Sequence, residues 1–152
     1  MRKMLPIFLA ALCLSALTPA SRAQRPGLGG AAGVEVITRT INDCENRTDR
    51  FVKALRRALD RSALSGTNRE DDLNRSAKEL ERSMDRVGKS WNREKDVAKT
   101  RQHVRSAIAD ARNIDITMRN RRLGGDAEEQ WRAVRIQIEL LARAFKLPSV
   151  RW

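Results

Sequence analysis

"INDCENRTDRFVKALRRAL", Ile41 to Leu59, is the stretch whose reading decides the fold. Ile41, Cys44, Thr48, Phe51 and Leu55 recur in alternating steps of three and four. Asn42, Asp43, Glu45, Asn46, Arg47, Asp49 and Arg50 fill the positions between them. That spacing stacks the apolar and small side chains on one face of an α-helix and turns the charges away from it. Upstream the stripe reaches Ile37; downstream it continues to Ala58 and Ser62. Cys44 is one of its rungs, which assigns the thiol to buried packing, with an intermolecular disulfide as the alternative. The acceptor-like triplets Asn46-Arg47-Thr48 and Asn74-Arg75-Ser76 fall inside predicted helices, so they read as chance matches to a glycosylation signal.

Three further stripes repeat the pattern. Leu73, Ala77, Leu80, Met84, Val87 and Trp91 form the second. Val97, Thr100, Val104, Ala107, Ala111, Ile114 and Met118 form the third, with Ile108 beside it. Ala127, Trp131, Val134, Ile138, Leu141 and Phe145 form the fourth. No proline occurs between Pro26 and Pro148, which suits long helices. Thr67 or Asn68 caps the second helix ahead of Glu70, Asp71 and Asp72. Asp126 with Glu129 gives a capping-box pattern for the fourth, and Asp96 or Asn92 opens the third.

The spacing therefore predicts helices over 36–65, 68–91, 96–122 and 126–146 within a domain spanning 36–147. Connections this short make neighbours antiparallel, so the expected fold is an all-α, up-down-up-down four-helix bundle. The alternative is an elongated pair of hairpins that completes its core as a homodimer. Residues 148–152, ending in Trp152, form a tail after Pro148. The tryptophan is expected to fold back on the bundle, given the area it can bury.

Residues 1–23 read as a secretory signal: a basic start at Arg2 and Lys3, the apolar run "LPIFLAALCLSAL", and small residues before Gln24. Residues 24–35 are glycine-rich and read as a flexible linker. Their Gly27, Gly29 and Gly33 follow no strand and precede no Gly-Lys-Ser/Thr, so they do not make a nucleotide loop. Three of the 31 basic residues and none of the 19 acidic ones belong to the signal, leaving 28 against 19 and a net charge of +9. Cys13 leaves with the signal, so Cys44 has no partner in the chain and packing alone must hold the domain. The expected setting is outside the cytoplasm, periplasmic or secreted, with no membrane span in the mature chain.

"LRRALDRSALSGTNREDDLN" (Leu55 to Asn74), "IDITMRNRRL" (Ile114 to Leu123) and "WRAVRIQIELLARAF" (Trp131 to Phe145) resemble a group of exported bacterial helical proteins with no assigned activity. The resemblance covers most of the mature chain and rests on packing residues and turns. It implies a helical fold and a bacterial envelope setting; it implies no site.

Catalytic and metal chemistry lack their residues. His103 is the only histidine and has Thr100 three residues before it, so no Glu-x-x-His pair exists for a ferritin-like iron site. There is no Cys-x-x-Cys-His for covalent haem. A non-covalent haem would need Met84 or Met118 with His103, which flanks the core seam instead of lying on it. The carboxylate pairs Asp71–Asp72 and Glu128–Glu129 lie in first helical turns, where the helix dipole explains them. No catalytic residue, cofactor or metal is expected, and the protein reads as a non-enzyme.

The charge excess sits on helices one and three, which a square bundle places on a diagonal. The chain also lacks tyrosine, and Trp91, Trp131, Phe51 and Phe145 fall on core stripes, so nucleic acid is not an expected partner. One end of the bundle does gather arginines. Arg56, Arg57, Arg61, Arg119, Arg121 and Arg122 would be the contacts of an anionic envelope component. Asp71, Asp72, Asp126 and their acidic neighbours meet them there and favour a salt-bridged cap. The leading expectation is a non-enzymatic interaction, scaffold or chaperone-like module of the bacterial envelope. A carrier using the bundle interior, and weak binding of DNA or lipopolysaccharide, are the alternatives.

Overall fold

The computed structural model describes residues 30–62, 65–119 and 125–152. The expected signal peptide lies outside them, as do most of the linker and both Arg121 and Arg122. Four helices make up most of the rest: α1 (Ala31–Asp60), α2 (Asn68–Glu94), α3 (Val97–Arg119) and α4 (Gly125–Ala144). No strand occurs among the described residues. The class is all-α.

Helix α1 corrects the linker boundary. It begins at Ala31, so Ala31–Glu35 are helical and not tether. Two alanines favour helix there, and Gly33 and Val34 both donate to Gly30 O. Gly33 is buried one turn before Ile37, so it extends the core stripe instead of a loop. At the other end α1 stops at Asp60, short of residue 65, where the Ser62 N–H turns to Leu59 O. Leu59 is the buried residue of this last turn, while Ala58 and Ser62 are half-buried.

The caps follow the local chemistry. Thr67 Oγ1 accepts from Glu70 N, and Glu70 reaches back to Gly66 N at 2.6 Å, a reciprocal pair. Gly66 adopts φ +75°, a conformation that favours glycine. Helix α2 runs three residues past Trp91 and ends where Lys95 turns left-handed and its N–H bonds Trp91 O. Asp96 then caps α3, its Oδ1 accepting from Ala98 N and Lys99 N.

The stripes meet in one core. Every rung of the second and fourth is buried, and the third is buried from Thr100 onward. Phe51 of α1 lies against Trp131 of α4, with ring centroids 4.9 Å apart. Trp91 of α2 meets Phe145 edge-on and donates from Nε1 to Thr38 of α1 at 2.8 Å. Helix α1 packs on α2 and α4, and α2 packs on α3; α3 and α4 meet only sparsely. Among the described residues the basic helices α1 and α3 make no close backbone approach. Gly88 of α2 faces the Glu45 carboxylate of α1, and a Cβ there would displace that side chain.

Candidate functional site

The sparse seam between α3 and α4 is where the C-terminal tail lies. After α4, Lys146 turns left-handed and Leu147 N bonds back to Ala142 O, which closes the helix in a Schellman-like turn. Arg101 of α3 donates to Phe145 O at 3.1 Å. Pro148 prevents the helix from continuing. Leu147 and Pro148 then line a hollow with Ile108 and Ala109 of α3, and Val150 is buried against the core.

Glu139 fixes the returning strand of chain. It accepts Ser149 Oγ at 2.7 Å, Val150 N at 2.8 Å and Arg143 Nε at 3.1 Å. The Ser149 and Val150 bonds, followed by the Arg143 charge, hold its carboxyl below the usual carboxylate range. Trp152 lands edge-on to Trp131 at 6.1 Å and beneath the Arg135 guanidinium at 5.0 Å.

Beneath this contact lies a buried polar node. Asp115 is 4% exposed, accepts Trp131 Nε1 at 3.0 Å, and pairs with Arg119 at 2.8 Å and Arg135 at 3.6 Å. The chain from Asp115 through Arg135 to Trp152 thus links α3, α4 and the tail.

On the outer side of the same assembly is a groove of about 480 Å³ between α4 and the tail. Its floor is Ile136 and Leu140, one helical turn apart, beside Trp152. Ile136 is 62% exposed and Leu140 43%. Arg132, Arg135 and Arg143 rim it, and its one acid, Glu139, is engaged with the tail. In the sequence these arginines are at least matched in number by the acids of α4, so net charge gives no sign of the groove. The legible signal was the off-stripe pair Ile136 and Leu140.

The bundle-end arginines are divided, not pooled. Arg57 pairs with Asp126 of α4 at 3.0 Å, and Arg61 Nε donates to Arg57 O. Arg119 turns back along its own helix to Asp115. Arg56 faces a different groove, shared with Arg75, Lys78 and Arg82 of α2 and one facing acid, Asp71. Arg75 there pairs with Asp72.

The interior residues do not converge on a ligand. Cys44 Sγ lies 3.7 Å from Met84 Sδ, both fully buried, and burial, reinforced by Glu45 and Asp43, pushes the thiol pKa far above its ordinary value. Ser83, next to Met84, bonds Asp110, which is seven residues or about 10 Å along α3 from His103. Met118 is fifteen residues from His103 on the same helix, about 22 Å. Met118 cannot share a haem iron with that histidine from the same helix. Among the described residues no group of three metal-ligating side chains comes together, and no helix is long and apolar enough to cross a membrane.

No family model matches the chain, and neither does any curated protein or solved structure.

Proposed function

We propose that this protein is an exported, non-enzymatic helical module of the bacterial envelope that acts by binding a partner at its surface. The observation that carries the reading is the arginine-rimmed apolar groove between α4 and the tail. Two exposed aliphatic side chains stand there beside Trp152, which packs edge-on to Trp131 and under the Arg135 guanidinium. Contiguous exposed apolar surface with a polar rim marks interaction sites. The interior supports a carrier role less well, since Cys44 and Met84 pack against each other there, both fully buried.

The arrangement we adopt is an antiparallel up-down-up-down bundle. Thr38 meets Trp91 while Cys44 approaches Met84, a pairing that supports opposite senses for α1 and α2. Ser83 with Asp110 and Ser90 with Thr100 give the same order for α2 and α3. Phe51 with Trp131 and Arg57 with Asp126 give it for α1 and α4. Export rests on the signal-like residues 1–23, and the bacterial setting on the resemblance in phrasing. Affinity capture from the native envelope, with wild-type protein and a Leu140→Asp variant in parallel, tests the reading. A component retained only by wild-type is the expected result; equal retention by both places the function elsewhere.

A second reading, weak attraction of polyanions, is favoured by one observation: the α1–α2 groove where Arg56, Arg75, Lys78 and Arg82 face Asp71. Retention of lipopolysaccharide that falls steeply with added salt and is lost in Lys78→Glu is its expected signature.

A further inference from the structure

The groove on α4 has a floor of only three residues, Ile136, Leu140 and Trp152. A stable protein interface uses roughly 20–30 residues a side. The strip is far narrower than that. A second copy of this chain fits worse still, because it would bring Arg132, Arg135 and Arg143 against their own equivalents. A small ligand with a hydrocarbon body matches both the width and the volume, which falls within the range of about 300–1,000 Å³ usual for small-molecule sites.

The charges around the strip specify the other end of that ligand. Arg135 is held over Trp152 and beside Asp115, and Arg143 is held by Glu139. Arg132 has no acidic partner among the described residues. It stands one turn before Ile136, at the end of the apolar strip, with a guanidinium able to take a carboxylate in bidentate fashion. One free cation at the end of one narrow apolar strip fits one negative charge at the end of one chain.

We propose that the α4–tail groove binds a long-chain carboxylate, with the hydrocarbon along Ile136 and Leu140 against Trp152 and the carboxylate on Arg132. The assignment rests on the surface-binding reading above and names the chemical class of its partner. Long-chain carboxylates are shed by envelope lipids, so the ligand belongs to the compartment proposed for the protein.

Isothermal titration of laurate, below its micellar concentration, into the purified protein tests the proposal. Saturable binding at one site is expected, weakened about tenfold or more by either Leu140→Asp or Arg132→Glu, since each removes one half of the recognition. Both positions are exposed, and unchanged far-UV dichroism certifies the variants' fold. Dodecyltrimethylammonium, with the same tail and the opposite charge, should bind at least about tenfold more weakly than laurate. Absence of laurate binding, equal binding of the cationic analogue, or unchanged affinity in both variants overturns the assignment. If laurate is silent while an acidic amphipathic peptide binds and Leu140→Asp abolishes that binding, the ligand class is wrong and the surface reading stands.

Discussion

Asp115 sits between Ile114 and Ile116 in α3, and its carboxylate serves an indole N–H and two guanidiniums. Removing it leaves the buried Trp131 N–H without an acceptor, while Arg119 and Arg135 can still reach water. Asp115→Ala should therefore destabilise the fold by about 2 kcal/mol, and Asp115→Asn, which keeps an acceptor, by less. Urea denaturation reads the difference. Cys44 makes a second residue-scale prediction: its thiol should resist alkylation in the native protein and react only on unfolding, because burial raises its pKa and excludes reagent. A native chain labelled at once by iodoacetamide, or a dimer on a non-reducing gel lost in Cys44→Ser, would contradict this. Glu45 makes a third. Partial burial first, then Asp85 and Asp49, raise its carboxyl pKa. A raised acid contributes most to stability below its unfolded-state value and loses that contribution as pH rises through the folded value. Glu45→Gln should accordingly raise the melting temperature at neutral pH and have little effect in acid. Cys44 could be placed from its rung on the stripe. Asp115 could not, because an acid beside a stripe looks like any solvated charge until its partners on another helix are known.

The C-terminal tail behaves as a fifth element wedged into the thin α3–α4 seam. Its attachment depends on Glu139, whose carboxyl is held below the usual range by the bonds from Ser149 and Val150. A lowered acid stabilises the fold above its unfolded value and loses that contribution as pH falls through the lowered one. Glu139→Gln should loosen the tail, cost about 1–2 kcal/mol at neutral pH and nothing in strong acid. Hydrogen exchange at the Val150 amide is the direct readout, and unchanged protection would contradict the assignment. The four stripes were legible because periodicity is a property of each segment by itself. Two features were not. Composition made Ala31–Glu35 look like tether, yet Gly33 is buried and Val34 packs on the core, an advantage visible only once the helix has neighbours. The place where the tail docks depends likewise on how little α3 and α4 touch, which no local pattern encodes. The groove residues Ile136 and Leu140 were visible as aliphatics off the stripe, but their meaning came from Trp152 arriving beside them.

Across the whole molecule, the arginine excess is broken up by topology. Arg57 goes to Asp126, Arg119 to Asp115, Arg135 to Trp152, and Arg56 to the opposite groove. Among the grooves of the described surface are a cationic one on α1 and α2 and an apolar one rimmed by cations on α4. In the interior Cys44 lies against Met84, both fully buried. The central claim is that the protein acts through the α4–tail surface. Parallel capture from the native envelope by wild-type, Leu140→Asp and a core-conservative Met84→Leu variant tests it most directly. Wild-type and Met84→Leu should retain the same component, and Leu140→Asp should lose it. Retention by Leu140→Asp with loss in Met84→Leu, or a Soret band in the purified protein, would contradict it.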